Sequence, residues 1–168
     1  TEKGSTSLPG KIQLDREIGR FIVLYLAEGC IDSSGFTGLY FGPEEEGLVE
    51  EVQSFMRDQL DTEGKMRKRY VEGSYGESEV FEVGSKSRIL KKFMSELELG
   101  KASGKKSLPE WILSAPEEFK KAVLSGYWDG DGSLFIDAKD GRAVASAGSK
   151  SRELLNDLFY LLQSKGVN

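Results

Sequence analysis

Histidine is absent from the 168-residue sequence, and this absence excludes several kinds of active site. It removes Ser-His-Asp and Cys-His nucleophilic sites, zinc sites that use histidine, and nucleases that employ a histidine general base. Any catalysis must therefore use carboxylates, lysines, tyrosines or a metal held by oxygen ligands. Hard cations such as magnesium are the natural partners of oxygen ligands.

Cysteine and long apolar runs are also scarce. The single cysteine, Cys30, excludes an intramolecular disulfide and suits a reducing compartment, so we expect a cytoplasmic protein. No apolar stretch approaches the roughly 18 residues that span a bilayer. The polar, Gly/Ser-rich start does not resemble a signal peptide, so no membrane partner is expected.

Charge is segregated along the chain, although the formal net charge is only −5. Residues 44–63 hold eight acids and a single base, and basic segments follow at 65–70, 84–92 and 100–106. An acidic total argues mildly against nucleic-acid binding, but this segregation allows a basic face beside an acidic back. A solvated mixture of surface charge is the alternative.

Apolar periodicity predicts the order helix, two strands, helix, two strands, helix between Leu14 and Leu99. Asp15 is the predicted N-cap of the first helix, and Gly29 is predicted to end it.

A second part of the chain restarts this order. Pro109 suits the first turn of a short helix, and Ser114 with Glu117 forms a capping-box pattern ahead of the next helix. Two strands and a further helix follow, with a turn at Asp140–Gly141. Compared with the first part, the final hairpin and helix are not represented. The segment GSKSR occurs at 84–88 and 148–152, where it predicts serine-capped turns from strand to helix.

Two predicted helices end in a small residue, an acid and a glycine: LYLAEG at 24–29 and GYWDGDG at 126–132. A carboxylate at a helix C-terminus is unfavourable because the helix dipole favours cations there. Its presence in both helices indicates function, although an exposed surface carboxylate is the plain alternative for Glu28. For Asp131 the alternative is a calcium loop beginning at Asp129, which Leu134 disfavours because an EF-hand needs glycine at that position.

FIVLYLAEG (21–29) and LSGYWDGDG (124–132) resemble the two LAGLIDADG motifs of the dodecapeptide homing endonucleases found in inteins. KSLPEWIL, before the second motif, is similar to the Lys-x-Ile-Pro stretch of that family. SRELLNDLFYLLQSKGV is similar to the helix that follows its second strand pair. The resemblance covers the chain from about residue 14 to the end.

The resemblance implies an α+β fold with two αββαββα half-domains related by a pseudo-two-fold axis, with saddle-shaped β-sheets over the DNA major groove. Residues 1–13 are then a linker, 14–104 the first half-domain, and 105–168 a second half-domain truncated after its second helix. The implied function is an intein-type, site-specific, metal-dependent double-strand DNA endonuclease in a prokaryotic or archaeal host. Two alternatives are a cleavage-inactive LAGLIDADG DNA-binding module and a maturase-like RNA-binding protein.

Matching positions make Glu28 and Asp131 the expected catalytic metal ligands, assisted by the backbone carbonyls of Ala27 and Gly130. Two carboxylates brought close together repel each other unless cations lie between them. Two or three shared Mg²⁺ ions would activate water and stabilise the leaving oxygens. Lys106 matches the lysine of the family's Lys-x-Ile-Pro stretch and would polarise water or offset charge at the scissile phosphate. The alternative for Lys106 is a solvated linker lysine.

One residue of the first motif helix departs from the family pattern. Val23 occupies a position where the family usually has glycine, opposite Gly126 in the repeat alignment. A branched side chain at a helix crossing predicts wider or asymmetric packing.

Double-stranded DNA is the expected partner, together with a complementing chain or an intein splicing domain that supplies the elements missing from the second half. Alternate residues of a strand face the same side, so Lys65, Arg67 and Arg69 are expected to bind DNA from one face. Arg142, at the start of a second-half strand, is the fourth expected DNA-binding residue. Surface charge that serves only solubility is the alternative for each of them.

Overall fold

The structure is a computed structural model that describes residues 11–73, 76–100, 102–139 and 141–166. Residues 1–10 of the predicted linker and Asp140 of the predicted turn lie outside this description. The described chain mixes α-helices with antiparallel β-sheets, so the predicted α+β class is confirmed.

The described elements follow the predicted order. They are α1 (Arg16–Glu28), β1 (Gly29–Ile31), β2 (Thr37–Phe41), α2 (Glu46–Leu60), β3 (Lys65–Gly73), β4 (Gly76–Ser85), α3 (Arg88–Glu96), α4 (Glu117–Asp131), β5 (Gly132–Ile136), β6 (Ala143–Ala147) and α5 (Arg152–Gln163). Short 3₁₀ turns lie at Ser103–Lys105 and Glu110–Ser114. The sequence α4-β5-β6-α5 thus repeats the first four elements of the chain. None of the described helices is long and apolar enough to cross a membrane.

The chain forms two compact units. The first, called here the sheet unit, consists of the described residues of 11–13 and Gly29–Leu97. The second, called the motif unit, consists of Leu14–Glu28 and Glu98–Asn168. Both motif helices, α1 and α4, therefore belong to the motif unit.

The sheet unit is built on a four-stranded antiparallel sheet with the strand order β1-β2-β4-β3. Helix α2 lies against β2 and β4. Because side chains alternate between the faces of a strand, every second strand residue contributes to the core. The buried apolar side chains on these elements are Leu39, Phe41, Phe81 and Val83 of the strands and Val49, Val52, Phe55, Met56 and Leu60 of the helix.

Short-range capping explains several helix boundaries. Asp15 Oδ1 accepts the backbone N–H of Ile18 at 3.1 Å, and Gly29 begins β1 directly after α1, so both predictions for α1 are confirmed. Ser87 and Ser151, in the two GSKSR segments, cap α3 and α5 by accepting N–H groups three residues ahead. Both serine caps are therefore confirmed.

The capping box predicted from Ser114 and Glu117 is wrong. Ser114 ends a 3₁₀ turn, and α4 begins at Glu117 after Pro116, whose side chain makes no capping hydrogen bond. Glu117 is thus the first helical residue and not the third, so its carboxylate cannot reach back to a serine cap. It forms ion pairs with Lys120 and Lys165 instead.

Candidate active site

The two motif helices pack at very close range. A Cβ atom added at Gly130 would lie 2.8 Å from Cβ of Ala27, and one added at Gly126 would clash with Cγ1 of Val23. Val23 is fully buried, with its branched side chain over Gly126. The asymmetric packing predicted at this crossing is confirmed, because a glycine in α4 leaves the space that Val23 of α1 fills.

The contacts between α1 and α4 advance in the same direction along both helices. The space beside Gly19 is occupied by Phe119 and Ala122, and Val23 and Ala27 then follow against Gly126 and Gly130. The helices are therefore parallel and finish at the same end of their interface.

This parallel packing brings the two motif acids to the same end. Helix α1 ends at Glu28 and α4 ends at Asp131. Glu28 Oε1 lies 3.9 Å from the position of a Cβ atom built on Gly130, the residue that directly precedes Asp131. Glu28 is half-buried and Asp131 is exposed, so solvent and ligands reach the two acids.

The Tyr127 hydroxyl group is a buried hydrogen-bond donor near both acids. Tyr127 is fully buried and donates to the carbonyl oxygen of Gly148 at 2.7 Å. Burial is the main cause that raises its pKa; a hydrogen bond with Ser149 opposes the rise, and the charges of Asp131 and Glu28 add to it. The raised pKa keeps Tyr127 protonated, so its hydroxyl group remains a hydrogen-bond donor.

Lys106 is bound to the end of α1. Its Nζ atom donates to the carbonyl oxygens of Tyr25 at 3.0 Å, Leu26 at 2.8 Å and Ala27 at 3.4 Å. The side chain is only 2% exposed, so the alternative of a solvated linker lysine is wrong. The last carbonyls of a helix lack intrahelical partners and carry negative partial charge. The ammonium group of Lys106 donates hydrogen bonds to these carbonyls and offsets their charge. The Lys106 carbonyl in turn accepts from Ser151 Oγ at 2.6 Å.

An open pocket of about 400 Å³ lies beside these groups. Its lining consists of Leu26, Ala27, Lys106, Asp131, Gly148, Ser149 and Lys150. Lys150 was not among the residues predicted from the sequence, where GSKSR indicated only a serine cap. The signal that could have identified Lys150 is its position in GSKSR, because the serine cap holds this residue between β6 and α5.

Asp129 has a structural contact across the helix interface. It forms an ion pair with Arg20 of α1, whose side chain is largely buried. Because Asp129 and Asp131 lie in the last turn of α4, the alternative of a calcium loop beginning at Asp129 is wrong.

The carboxylate oxygens at this site are suited to binding a hard cation. Glu28 and Asp131 supply carboxylates at the same helix ends, and carboxylates are preferred ligands of Mg²⁺. Among the described residues, no group of three or more histidine, cysteine or acidic side chains is arranged to hold a metal ion. The remaining ligands must therefore be backbone carbonyls, water or phosphate oxygens. This donor set suits a metal shared with a substrate more than a closed structural site.

The predicted DNA-binding bases fall on both units. In the sheet unit, Lys65, Arg67 and Arg69 occupy alternate positions of β3 and are exposed, so their common face is confirmed. This face borders a pocket of about 420 Å³ that Arg67 and Arg69 line together with a buried acid, Glu82, which the sequence did not single out. In the motif unit, Arg142 is exposed directly before β6.

Part of the chain is similar to a known protein family. Residues 118–168 match the family model described as a LAGLIDADG-like domain. The fold and the paired helix-end acids define an α+β protein with two motif helices. This match includes the second of the two motifs and the elements that follow it, so the resemblance is confirmed for this part of the chain.

Two curated relatives come from Methanocaldococcus jannaschii. The chain is 30% identical over 156 residues to the DNA-directed RNA polymerase subunit Rpo1C, covering 93% of this chain and 16% of the relative. It is 28% identical over 171 residues to the uncharacterized protein MJ1054, covering 97% of this chain and 18% of the relative. The chain thus spans less than a fifth of either relative.

A solved structure from a study of mesophilic variants of the homing endonuclease I-DmoI also aligns with the chain. It gives a TM-score of 0.44 at 11% identity and covers 90% of this chain and 95% of that one.

Proposed function

We propose that the chain is an intein-type homing endonuclease domain that hydrolyses one phosphodiester bond in each strand of a double-stranded DNA site with Mg²⁺. One observation carries the proposal: Glu28 and Asp131 are the last residues of two parallel, closely packed motif helices. Like charges converge in this way at a cost unless a cation offsets them.

The intein type is supported by the extent of the similarity. The match to the RNA polymerase subunit covers nearly all of this chain and only 16% of the relative. A segment carried within a larger host protein would give this pattern.

In this proposal Glu28 and Asp131 bind the divalent ions, and the carbonyls of Ala27 and Gly130 assist. When bound, the ions supply Lewis-acid stabilisation and a water of lowered pKa. The packing of α1 on α4 holds the two helix ends together before substrate arrives, which reduces the reorganisation needed at the reaction step. Tyr127 supports Gly148 at the pocket wall through its hydroxyl hydrogen bond.

The two lysines of the pocket have different proposed roles. Lys106 is a positioning residue, because its ammonium group is held by three carbonyls at the end of α1 and its charge lies beside Ala27. Lys150 is exposed in the same pocket, so its ammonium group is available to contact a phosphate and offset its charge.

The proposed DNA-binding residues are Lys65, Arg67 and Arg69 on the exposed face of β3, together with Arg142. Arginine binds a guanine edge or a phosphate through two parallel N–H donors, while lysine acts as a point charge. The exposure of these side chains supports the proposal.

A complementing β-hairpin, with the architecture of β3–β4, is the further partner that we propose for the motif unit. In the sheet unit, β2 pairs with β4 along its second edge. The equivalent strand β6 pairs only with β5 among the described residues. Leu134 and Ile136 of this two-stranded sheet are 76% and 72% exposed, as expected for a face that another element covers.

The test is selection of cleaved sites from a randomised duplex library with Mg²⁺, followed by cleavage of the selected site. We expect Glu28→Gln and Asp131→Asn to abolish cleavage while binding in Ca²⁺ is retained. Lys121→Gln is the matched control, because Lys121 pairs with Glu118 on the exposed surface of α4.

Two other outcomes would each replace the proposal with an alternative function. Duplex binding without cleavage by the wild-type protein, even after a β3–β4-like hairpin is added, would identify a binding module. Preferential binding of folded intron RNA in direct competition would identify a maturase-like protein.

A further inference from the structure

Glu82 is a buried acid on a sheet face that otherwise carries bases. It is 4% exposed. The strand register places Glu82 of β4 directly between Arg67 of β3 and Tyr40 of β2, so the three side chains share one face. An acid on a surface that binds phosphates opposes binding, so its position there needs a physical reason.

Both carboxylate oxygens of Glu82 are held by donors. Oε1 accepts from Nη2 of Arg69 at 3.2 Å, and Oε2 accepts from the Tyr40 hydroxyl at 3.1 Å. The pKa of Tyr40 is raised, first by burial and then by neighbouring Cys30 and Glu82. The phenol therefore remains a donor, and the carboxylate is fixed from two sides.

The two arginines of this face differ as a consequence. Arg69 is about half exposed and is tied to Glu82 through one of its five N–H donors, which leaves the others facing the adjoining pocket. Arg67 lies across from Glu82 and has no hydrogen-bond or ion-pair partner in the part of the chain that the structure describes. The face thus presents one anchored guanidinium and one unanchored guanidinium.

We propose that Glu82 is a specificity-determining residue that anchors Arg69 for reading a guanine edge in the major groove and withholds it from phosphates. The inference rests on the proposed DNA-binding function. An anchored guanidinium loses less conformational freedom when it forms a bidentate base contact. The charge of Glu82 also offsets that of Arg69 in the sequence-independent attraction to DNA, so wrong sites bind more weakly.

The same strand supplies a matched control. Glu79 lies on the opposite face of β4, where it accepts from Nζ of Lys68 at 2.9 Å and from the hydroxyl of Tyr70 at 3.0 Å. It therefore has the same types of partner as Glu82, a cation and a tyrosine. Neutralising either acid changes the net charge of the protein equally.

The experiment compares Glu82→Gln with Glu79→Gln. Binding to a duplex of arbitrary sequence is measured by fluorescence anisotropy over a salt series in Ca²⁺, and preferred sites are selected from a randomised duplex library. For Glu82→Gln we expect tighter binding to arbitrary DNA, with a slope of log affinity against log salt that is steeper by up to about 0.9. We also expect discrimination at one guanine to fall about tenfold. Glu79→Gln should match the wild type in both measurements.

Equal behaviour of the two variants would overturn the role of Glu82 while leaving DNA binding intact. Absence of duplex binding by the wild-type protein would overturn the proposed function and this inference with it. If Glu82→Gln does not fold, Arg69→Lys is the second test, because lysine keeps the charge and lacks the fork. Loss of guanine discrimination with an unchanged salt slope is then expected, and unchanged discrimination would overturn the proposal.

Discussion

The ammonium nitrogen of Lys106 lies 2.8 Å from the carbonyl oxygen of Leu26, two residues before the end of α1. This contact joins the segment before the second motif helix to the last turn of the first motif helix. Because Lys106 also binds the carbonyls of Tyr25 and Ala27, it supports the turn that presents Glu28.

We predict that Lys106→Met lowers the free energy of unfolding. The substitution leaves buried helix-end carbonyls without a donor, which costs about 1–3 kcal/mol. Urea denaturation without DNA or metal measures the loss. Lys105→Met is the control. The side chain of Lys105 is exposed, and its backbone N–H, which the substitution keeps, donates to the carbonyl oxygen of Ala102. An equal effect of both substitutions would contradict the positioning role of Lys106.

Gly126→Ala should destabilise the motif unit, although alanine favours helix formation. The added Cβ would clash with Val23, and overpacking costs about 1–3 kcal/mol, against a gain of up to about 1 kcal/mol in helix propensity. The double variant Val23→Ala, Gly126→Ala should recover part of the loss. Gly47→Ala should instead stabilise the protein, because nothing lies within 4 Å of a Cβ at Gly47 in α2. Thermal unfolding of the four proteins distinguishes these effects, and a stabilising Gly126→Ala would refute the close crossing.

Glu28→Gln is predicted to separate activity from stability. Removal of a negative charge from a helix C-terminus should raise the stability of the metal-free protein by about 0.3–1 kcal/mol. The same substitution should abolish the increase in melting temperature that Ca²⁺ gives the wild type, because a ligand stabilises only the state that binds it. Differential scanning calorimetry with and without Ca²⁺ tests both effects. A variant that still responds fully to Ca²⁺ would argue against Glu28 as a ligand.

Glu117 should make stability depend on acid pH. Hydrogen bonds from Lys120 and then Lys165 lower the pKa of Glu117 to about 2, from an ordinary value of 4.5. Because the folded-state pKa is depressed, the contribution is complete above about pH 4.5 and is lost as the pH falls through about 2. Unfolding midpoints across this range should vary less in Glu117→Gln than in wild type. Glu118→Gln is the control, since Glu118 pairs with one exposed lysine.

Local signals in the sequence determined the order of the elements and most of their ends. Apolar periodicity identified the helices, and Asp15, Ser87 and Ser151 capped them, because these effects depend on residues three or four positions apart. The acids at the ends of α1 and α4 were found in the same way, since a helix-end carboxylate opposes the dipole. Capping failed at Ser114, where a 3₁₀ turn and a proline shifted the start of α4.

The tertiary structure decided which of these residues meet. The burial of Lys106 against Leu26 and the fit of Val23 over Gly126 join segments that are about 80 and 100 residues apart, and no local pattern encodes such contacts. Glu82 required the strand register, because its neighbours Arg69 and Tyr40 come from two other strands. Sequence periodicity specifies the face of each element, whereas the pairing of faces depends on packing and desolvation across the whole fold.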